Sequence, residues 1–405
     1  MLRVCRFALR FVAVLALSIG FAGCGSNQGT KPLATARANP VNPSSSAAHN
    51  FAFWYETWNP QTTPPQLKPS DVIIGLAPDA VASAHAANKQ VLQYQTYYQS
   101  TPGTLLLKTL DDLPNVGFQI NQQFVASVFP EPNNYVLCPN SAVLRQRVQD
   151  YVLQAVESRY DGIFVDNTFF DPPAHAVCDA PHQHAAAGVE GGIAFLQLLS
   201  EVRKTLLANN PAGILITNPG NPDWADQIAT ASPSLWDISD VVVWESYGYT
   251  SIQGSQHDVW NDTITKSYRY AATAPEKAAK LLALSYPENV IEARFAFAVA
   301  RFFRFNWTAN LGENQQNTTQ DGGHFGAFFN DIPYSLGQPV DPLPDPASVL
   351  HRTFQNGEIF INIDSTPQSV TLQPGTIYLG ASTTSTSSTT TVNLQPGMAA
   401  IVIFK

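Results

Sequence analysis

Charge is scarce in this chain of 405 residues. Asp, Glu, Lys and Arg together make up 13% of it, a low share for a cytosolic protein and a commoner one among secreted proteins. Cationic side chains are the scarcer sign, 22 against 31 acidic ones, which leaves a net charge of -9. Nucleic acid is therefore not expected as a partner, because phosphate binding needs a basic face. Cysteine is rare as well, with four in the whole chain. No apolar run beyond the N-terminal region is long enough to span a bilayer. No Gly-x-Gly-x-x-Gly follows the first strand-like run, so dinucleotide binding has no support. A P-loop, a Gly-x-Ser-x-Gly elbow and a tandem repeat of useful period are also missing.

What is present begins with an export signal. Arg3, Arg6 and Arg10 form a basic start, and Phe11 to Phe21 is an apolar stretch too short for a stable membrane span. Phe21-Ala22-Gly23-Cys24 follows and resembles the lipobox of bacterial lipoproteins, with Phe21 in place of the usual Leu. That resemblance implies a lipid-modified Cys24 at the start of the mature chain. It also implies an exported protein held on the periplasmic or cell-surface face of a membrane. Each buried methylene of such an anchor contributes about 0.8 kcal/mol. Residues 1–24 are then the signal. Residues 25–49, rich in Ser, Asn, Pro, Ala and Gly, read as a flexible tether.

Cys5 lies in the signal, so Cys138 and Cys178 remain. In an exported protein they are expected to pair as a disulfide, with two buried free thiols as the alternative. His175, His182 and His184 share a long loop with Asp171 and Asp179. Their spacing matches no standard metal motif, and neither a metal nor an organic cofactor is expected.

From Asn50 onward, short apolar runs recur: Phe51–Tyr55, Val72–Leu76, Val91–Tyr94, Gly162–Val165, Gly213–Ile216, Val241–Trp244, Leu281–Leu284 and Phe325–Phe329. Helical patterns separate several of them, at Asp79–Asn88, Ser141–Ser158, Gly192–Asn209 and Glu288–Phe305. Buried strands alternating with helices predict an α/β fold, and eight of them predict a (β/α)8 TIM barrel over residues 50–340. A Rossmann-like open sheet is the runner-up. The Pro-rich stretch Asn59–Ser70 leaves no room for an ordinary first helix. Beyond Pro342, Pro344 and Pro346 the pattern turns wholly to short strands: Ile359–Ile363, Ser369–Leu372, Thr390–Leu394 and Ala400–Phe404. A small all-β sandwich is expected over residues 347–405.

Chemistry concentrates at two strand ends. In Gly162-Ile163-Phe164-Val165-Asp166, alternation puts Gly162, Phe164 and Asp166 on one face, the interior of a barrel. Asp166 then stands at the carboxyl end of the strand, where barrel enzymes keep their active sites. Asp161, at the other end, reads as a turn residue. Val241-Val242-Val243-Trp244-Glu245 repeats the logic on the sixth run, so Glu245 faces Asp166 across the barrel mouth. Paired carboxylates are the usual requirement of glycosidic bond cleavage. One protonates the leaving oxygen while the other attacks the anomeric carbon or activates water.

The Asp161-Gly162-Ile163-Phe164-Val165-Asp166-Asn167 segment resembles the fourth-strand motif of a group of hypothetical glycoside hydrolases. These are distantly related to the α-galactosidase clan and to polygalactosaminidase-type enzymes. Tyr334-Ser335-Leu336-Gly337 and Arg352-x-Phe-x-Asn-Gly357, leading into the sandwich, are similar to that group too. The resemblance implies a retaining mechanism with Asp166 as nucleophile and Glu245 as acid/base. Its substrate would be an extracellular or cell-surface poly- or oligosaccharide. Softer candidates for sugar contact are Trp54, Glu56, Trp58, Tyr97, Asn167, Asn218, Trp244, Tyr247, Tyr249 and Asn330, with Tyr98 beside them. Glu56 is a third carboxylate that could take the acid role in place of Glu245. The competing reading is a carbohydrate-binding or assembly lipoprotein on a barrel that has lost catalysis. It predicts that Asp166 and Glu245 do not share one cleft.

Overall fold

Runs of Val, Ile and Leu become parallel strands when both faces can be buried, and the longest such runs here do. A computed structural model describes residues 51–53, 72–128, 133–170, 173–227, 233–250, 256–287, 289–309 and 332–405. Its main sheet has eight strands in chain order: β1 (Phe51–Phe53), β2 (Val72–Ile74), β3 (Gln90–Thr96), β4 (Gly162–Asp166), β5 (Ile214–Thr217), β6 (Val241–Thr250), β7 (Leu281–Tyr286) and β8 (Asn306–Ala309). All neighbouring pairs are parallel. The sheet curls until β8 lies beside β1, as in a (β/α)8 barrel.

Alternation sorts the side chains into two cores. Val72, Leu92, Phe164, Ile216, Val243 and Leu284 fill the inside of the curl. Their neighbours Ile73, Val91, Ile163, Leu215, Val242 and Ala283 face outward and pack under the helices. Those helices are α1 (Val81–Ala86), α2 (Ala142–Glu157), α3 (Gly191–Asn209), α4 (Gln256–Thr273) and α5 (Val290–Phe302). Ser141 caps α2 as its sequence suggests, its hydroxyl accepting from the Leu144 amide. Asp161 is structural, as expected of it: its carboxylate accepts from the Val91 amide at 2.8 Å and faces His85 Nε2 at 2.7 Å.

One expectation changes. The eighth strand is Asn306–Ala309, directly after α5, and not Phe325–Phe329, which lies outside the described residues. The Pro-rich segment between β1 and β2 also lies outside them.

The C-terminal segment forms an antiparallel sandwich. Strands β9 (Val349–Phe354), β10 (Gly357–Asn362), β12 (Gly375–Leu379), β13 (Ser382–Thr386) and β15 (Ala399–Phe404) make one sheet, in the order β9-β10-β15-β12-β13. Strands β11 (Gln368–Leu372) and β14 (Thr390–Leu394) pair as a ribbon. Phe360, Leu372, Leu394 and Val402 pack together as one apolar layer drawn from sheet and ribbon. Leu350, Ile359, Ile361 and Ile401 instead join the helix-facing core of the barrel. α5 is buried without a break from Glu292 to Phe302, because it has barrel strands on one side and the sandwich on the other. Among the described residues no helix is long and apolar enough to cross a membrane.

Candidate active site

Five consecutive strands deliver polar side chains to one point at their carboxyl ends. Leu92 and Tyr94 point inward from β3, and Phe164 and Asp166 from β4. Ile214 and Ile216 on β5 are followed by Asn218. Val243 and Glu245 point inward from β6, and Leu284 and Tyr286 from β7. In each case an apolar layer inside the barrel lies beneath the polar group.

Asn218 joins the two carboxylates. Its Nδ2 donates to Asp166 Oδ1 at 2.7 Å and to Glu245 Oε2 at 3.0 Å. Its Oδ1 accepts from the Gly220 amide at 3.0 Å, which fixes the amide so that the donor end faces the acids. The two acceptor oxygens are no farther apart than those two donor distances laid end to end. That is below the roughly 6.5 Å at which the spacing of inverting pairs begins. Tyr94 donates to Asp166 Oδ2, and Tyr286 donates to Glu245 Oε1. Each acid is thus held at both oxygens. Among the described residues neither is paired with a Lys, Arg or His. The two acids meet at Asn218, at the carboxyl ends of the strands.

Burial acts on both acids in the same direction. Both side chains keep partial solvent access, yet the protein around them is deep enough that desolvation dominates. Burial pushes Asp166 above the usual carboxylate range, against the opposing hydrogen bonds from Tyr94, Asn218 and the Asn167 amide. Burial also pushes Glu245 up, and the negative charge of Asp166 pushes it further, against the bonds from Tyr286 and Asn218. Two like charges this close do not ionise together easily. Three donors oppose the rise at Asp166, and two oppose it at Glu245.

The backbone turns sharply after both acids. Asn167 has φ 53° and Ser246 has φ 58°, both in the left-handed region that is sparsely used outside glycine. The turn at Ser246 has a consequence for the aromatic residues around Glu245. Simple alternation would bring Tyr247 to the inner face with Val243 and Glu245. Instead Tyr247 is fully buried under the helices, edge-on to Trp244 at 4.9 Å, with its hydroxyl 3.0 Å from Ser267. The expectation that Tyr247 and Trp244 touch substrate is therefore corrected: both are outer-face core. Tyr97 and Tyr98 are corrected for the same reason, each being 1% exposed in that core. Asn218 holds its expected place, though as a partner of both acids rather than a lone sugar contact. Asn167 follows Asp166 as expected and lends it a backbone amide. Trp54, Glu56, Trp58 and Asn330 lie outside the described residues, as does the side chain of Tyr249.

Tyr94 and Tyr286 are site residues that the sequence reading passed over. The signal was available, since each ends an inward-facing Leu-x-Tyr or Leu-x-Leu-x-Tyr alternation. A further aromatic pair follows the strand ends: Phe169, after β4, and Trp224, after β5, lie 6.2 Å apart, and Trp224 is 40% exposed.

The expected disulfide is also corrected. Cys138 and Cys178 are both free and buried. They come together with His182 and His184, all four ligand atoms lying within 4.8 Å of one another, so these residues could hold a metal ion although their spacing did not suggest it.

Residues 140–358 match the family model described as hypothetical glycosyl hydrolase family 15. That span includes Asp166, Asn218, Glu245 and Tyr286. No curated protein matches the chain. Among solved structures, the chain is similar to the alpha-glucosyl transfer enzyme XgtA, at 11% identity over 90% of this chain and 100% of that one, with a TM-score of 0.51. It is similar to the maltogenic amylase from S. marinus at 10% identity, over 89% of this chain and 67% of that one, TM-score 0.52. The glycoside hydrolase domain of PelA from Pseudomonas aeruginosa matches 68% of this chain with 97% of its own, at 15% identity and a TM-score of 0.43. At such identities the first two are likenesses of fold.

Proposed function

Because the chain belongs to hypothetical glycosyl hydrolase family 15, we propose that it is a retaining glycosidase with Asp166 as nucleophile and Glu245 as acid/base. The ionised Asp166 attacks the anomeric carbon while Glu245 gives its proton to the departing glycosidic oxygen. A glycosyl ester on Asp166 results. Glu245, now ionised, takes a proton from water; the hydroxide oxygen attacks the same carbon, and Asp166 leaves as carboxylate. Both acids are restored and one water is consumed.

The observation that carries this reading is the single Asn218 Nδ2 hydrogen-bonded to both acids. It keeps them at the short separation that suits direct attack rather than attack through an interposed water. The upward push that burial and the charge of Asp166 give Glu245 suits a group that must hold a proton to act as an acid. The substrate belonging to this reading is a poly- or oligosaccharide outside the cytoplasm, met by an enzyme tethered through a lipid on Cys24 and residues 25–49. The exposed Trp224 beside Phe169 offers a flat apolar face against which a sugar ring can stack.

The test is a panel of polysaccharides given to the full chain, with Asp166→Asn and Glu245→Gln as paired controls. Turnover of at least one glycan should fall beyond detection in Asp166→Asn. It should fall by about 10²–10⁴ in Glu245→Gln, the usual worth of a general acid. Full activity in both variants would remove the proposal.

A further inference from the structure

The loop leaving β4 carries a second constellation, away from the two acids. Cys178, His182 and His184 lie on it, and Cys138 stands about 40 residues earlier, just before α2. Cys138 Sγ is 3.8 Å from His184 Nδ1, and Cys178 Sγ is 4.0 Å from His182 Nε2. Four ligands on a tetrahedral zinc ion, with Zn–S about 2.3 Å and Zn–N about 2.0–2.1 Å, stand roughly 3.4–3.8 Å from one another. The two sulfur–nitrogen spacings match such a set within a few tenths of an ångström, and the four ligand atoms, all within 4.8 Å of one another, would draw together by up to about one ångström around the ion.

The far side of each ring is equally informative. His182 Nδ1 faces the Pro114 carbonyl at 3.2 Å, and His184 Nε2 faces the Ala180 carbonyl at 3.2 Å. A ring nitrogen that meets a carbonyl must carry the proton, so the opposite nitrogen presents its lone pair. In both histidines that lone pair points at the sulfurs. This pattern, one nitrogen toward the metal and the other donating to a carbonyl, is the usual support of a metal-bound imidazole. The sulfurs are supported too: amides of Asn140 and Ser141 face Cys138, and those of Gln119 and Ala180 face Cys178. A disulfide would leave two oriented imidazoles without a task.

We propose that Cys138, Cys178, His182 and His184 form a closed tetrahedral site for a zinc ion. Four protein ligands leave no open position, so the ion is structural rather than catalytic. It clips the loop after β4 to the start of α2. The backbone around it is laid down to match: the Ala142 amide donates to Gln183 at 3.0 Å, and the Asn140 side chain accepts from the Ala186 amide at 3.1 Å. The ring closed by the clip contains α2 and β4, including Asp166, so the ion fixes the loop that begins at the nucleophile.

The test is metal analysis and intact mass of the full chain, followed by removal of metal under reducing conditions and titration with Co²⁺. The expected result is about one zinc ion per chain and two thiols that become reactive only on chelation. Cobalt should then give thiolate charge-transfer absorption and the strong visible bands of tetrahedral Co²⁺. Cys178→Ser and His184→Ala should each weaken cobalt binding at least about tenfold, while Asp179→Asn, which alters an exposed neighbour, leaves it unchanged. A chain lighter by two hydrogens, without metal and with thiols released only by reductant, overturns the proposal in favour of the disulfide. Reduced wild-type chain that gives no tetrahedral cobalt spectrum overturns it as well, even where the variants fail to fold.

Discussion

A single amide nitrogen, Asn218 Nδ2, holds both acids of the proposed pair, and its removal should be felt in both steps of the proposed reaction. Asn218→Ala frees one oxygen of each acid, and misplacement of reacting groups by about 1 Å costs on the order of 10²-fold in rate. The expected outcome is a fall of that size in kcat/KM with the fold intact, read by kinetics beside circular dichroism. Tyr286 bears on pH dependence. Its hydroxyl bonds the ionised form of Glu245 and so holds the pKa down against burial and the charge of Asp166. Tyr286→Phe removes that restraint and raises the pKa further. Because the acid must be protonated to work, the alkaline limb of the pH–rate profile should move to higher pH. A limb that stays in place or moves lower contradicts the assignment of Glu245 as acid. Asp166 and Glu245 were legible in the sequence because a carboxylate after an alternating apolar run has one natural place on a barrel. Tyr247 was not, because the left-handed turn at Ser246 is a backbone event that no side-chain pattern announces. The Cys–His cluster was hidden for another reason: its members come from two segments brought together by the fold.

At the scale of elements, strands with unbroken apolar runs were readable and those with polar members were not. β8 has buried Asn306 and Thr308, the former donating to the Leu281 carbonyl, and so does not look like a barrel strand. α4 hides its inner face likewise: Thr263 and Ser267 are buried beside Ile264 and Tyr270, which blurs the apolar period. The low-complexity stretch after Gly380 becomes β13, an exposed edge strand of Ser and Thr whose place depends on pairing with β12 rather than on burial. Gly162 shows the opposite case, where one residue type is dictated by the sheet. A Cβ at this position would lie 2.1 Å from the Ile214 carbonyl oxygen on β5. Backbone cannot yield as a side chain does. Gly162→Ala should lower stability by about 1–3 kcal/mol or more, measured by denaturant unfolding. Because β4 carries Asp166, activity should fall with it.

Seen as a whole, barrel and sandwich share one core through α5. Arg294, 2% exposed, reaches from that helix to the carbonyls of Gly380 and Ser382 at 2.7 and 2.8 Å and to Thr383 Oγ1 at 2.9 Å. Arg352 of β9 reaches back to the Phe302 carbonyl at the end of α5, and Arg301 donates to the Gly337 carbonyl at 3.0 Å. Hydrogen bonds from a charged group contribute about 1.5–3 kcal/mol each. Arg294→Met should therefore lower the unfolding free energy by at least about that much, while leaving kcat of the folded fraction unchanged. Separate unfolding of the two parts in the wild-type chain, seen as two calorimetric transitions, would contradict the shared core.

If Asp166 and Glu245 act as a retaining pair, the first product keeps the anomeric configuration of the substrate. Proton NMR of a hydrolysis in progress, on any glycan the wild-type chain cleaves, should give first the anomer of the substrate's own configuration, with the other appearing only by mutarotation. Initial release of the inverted anomer would contradict the account, because attack by Asp166 and then by water at the same carbon returns the starting configuration.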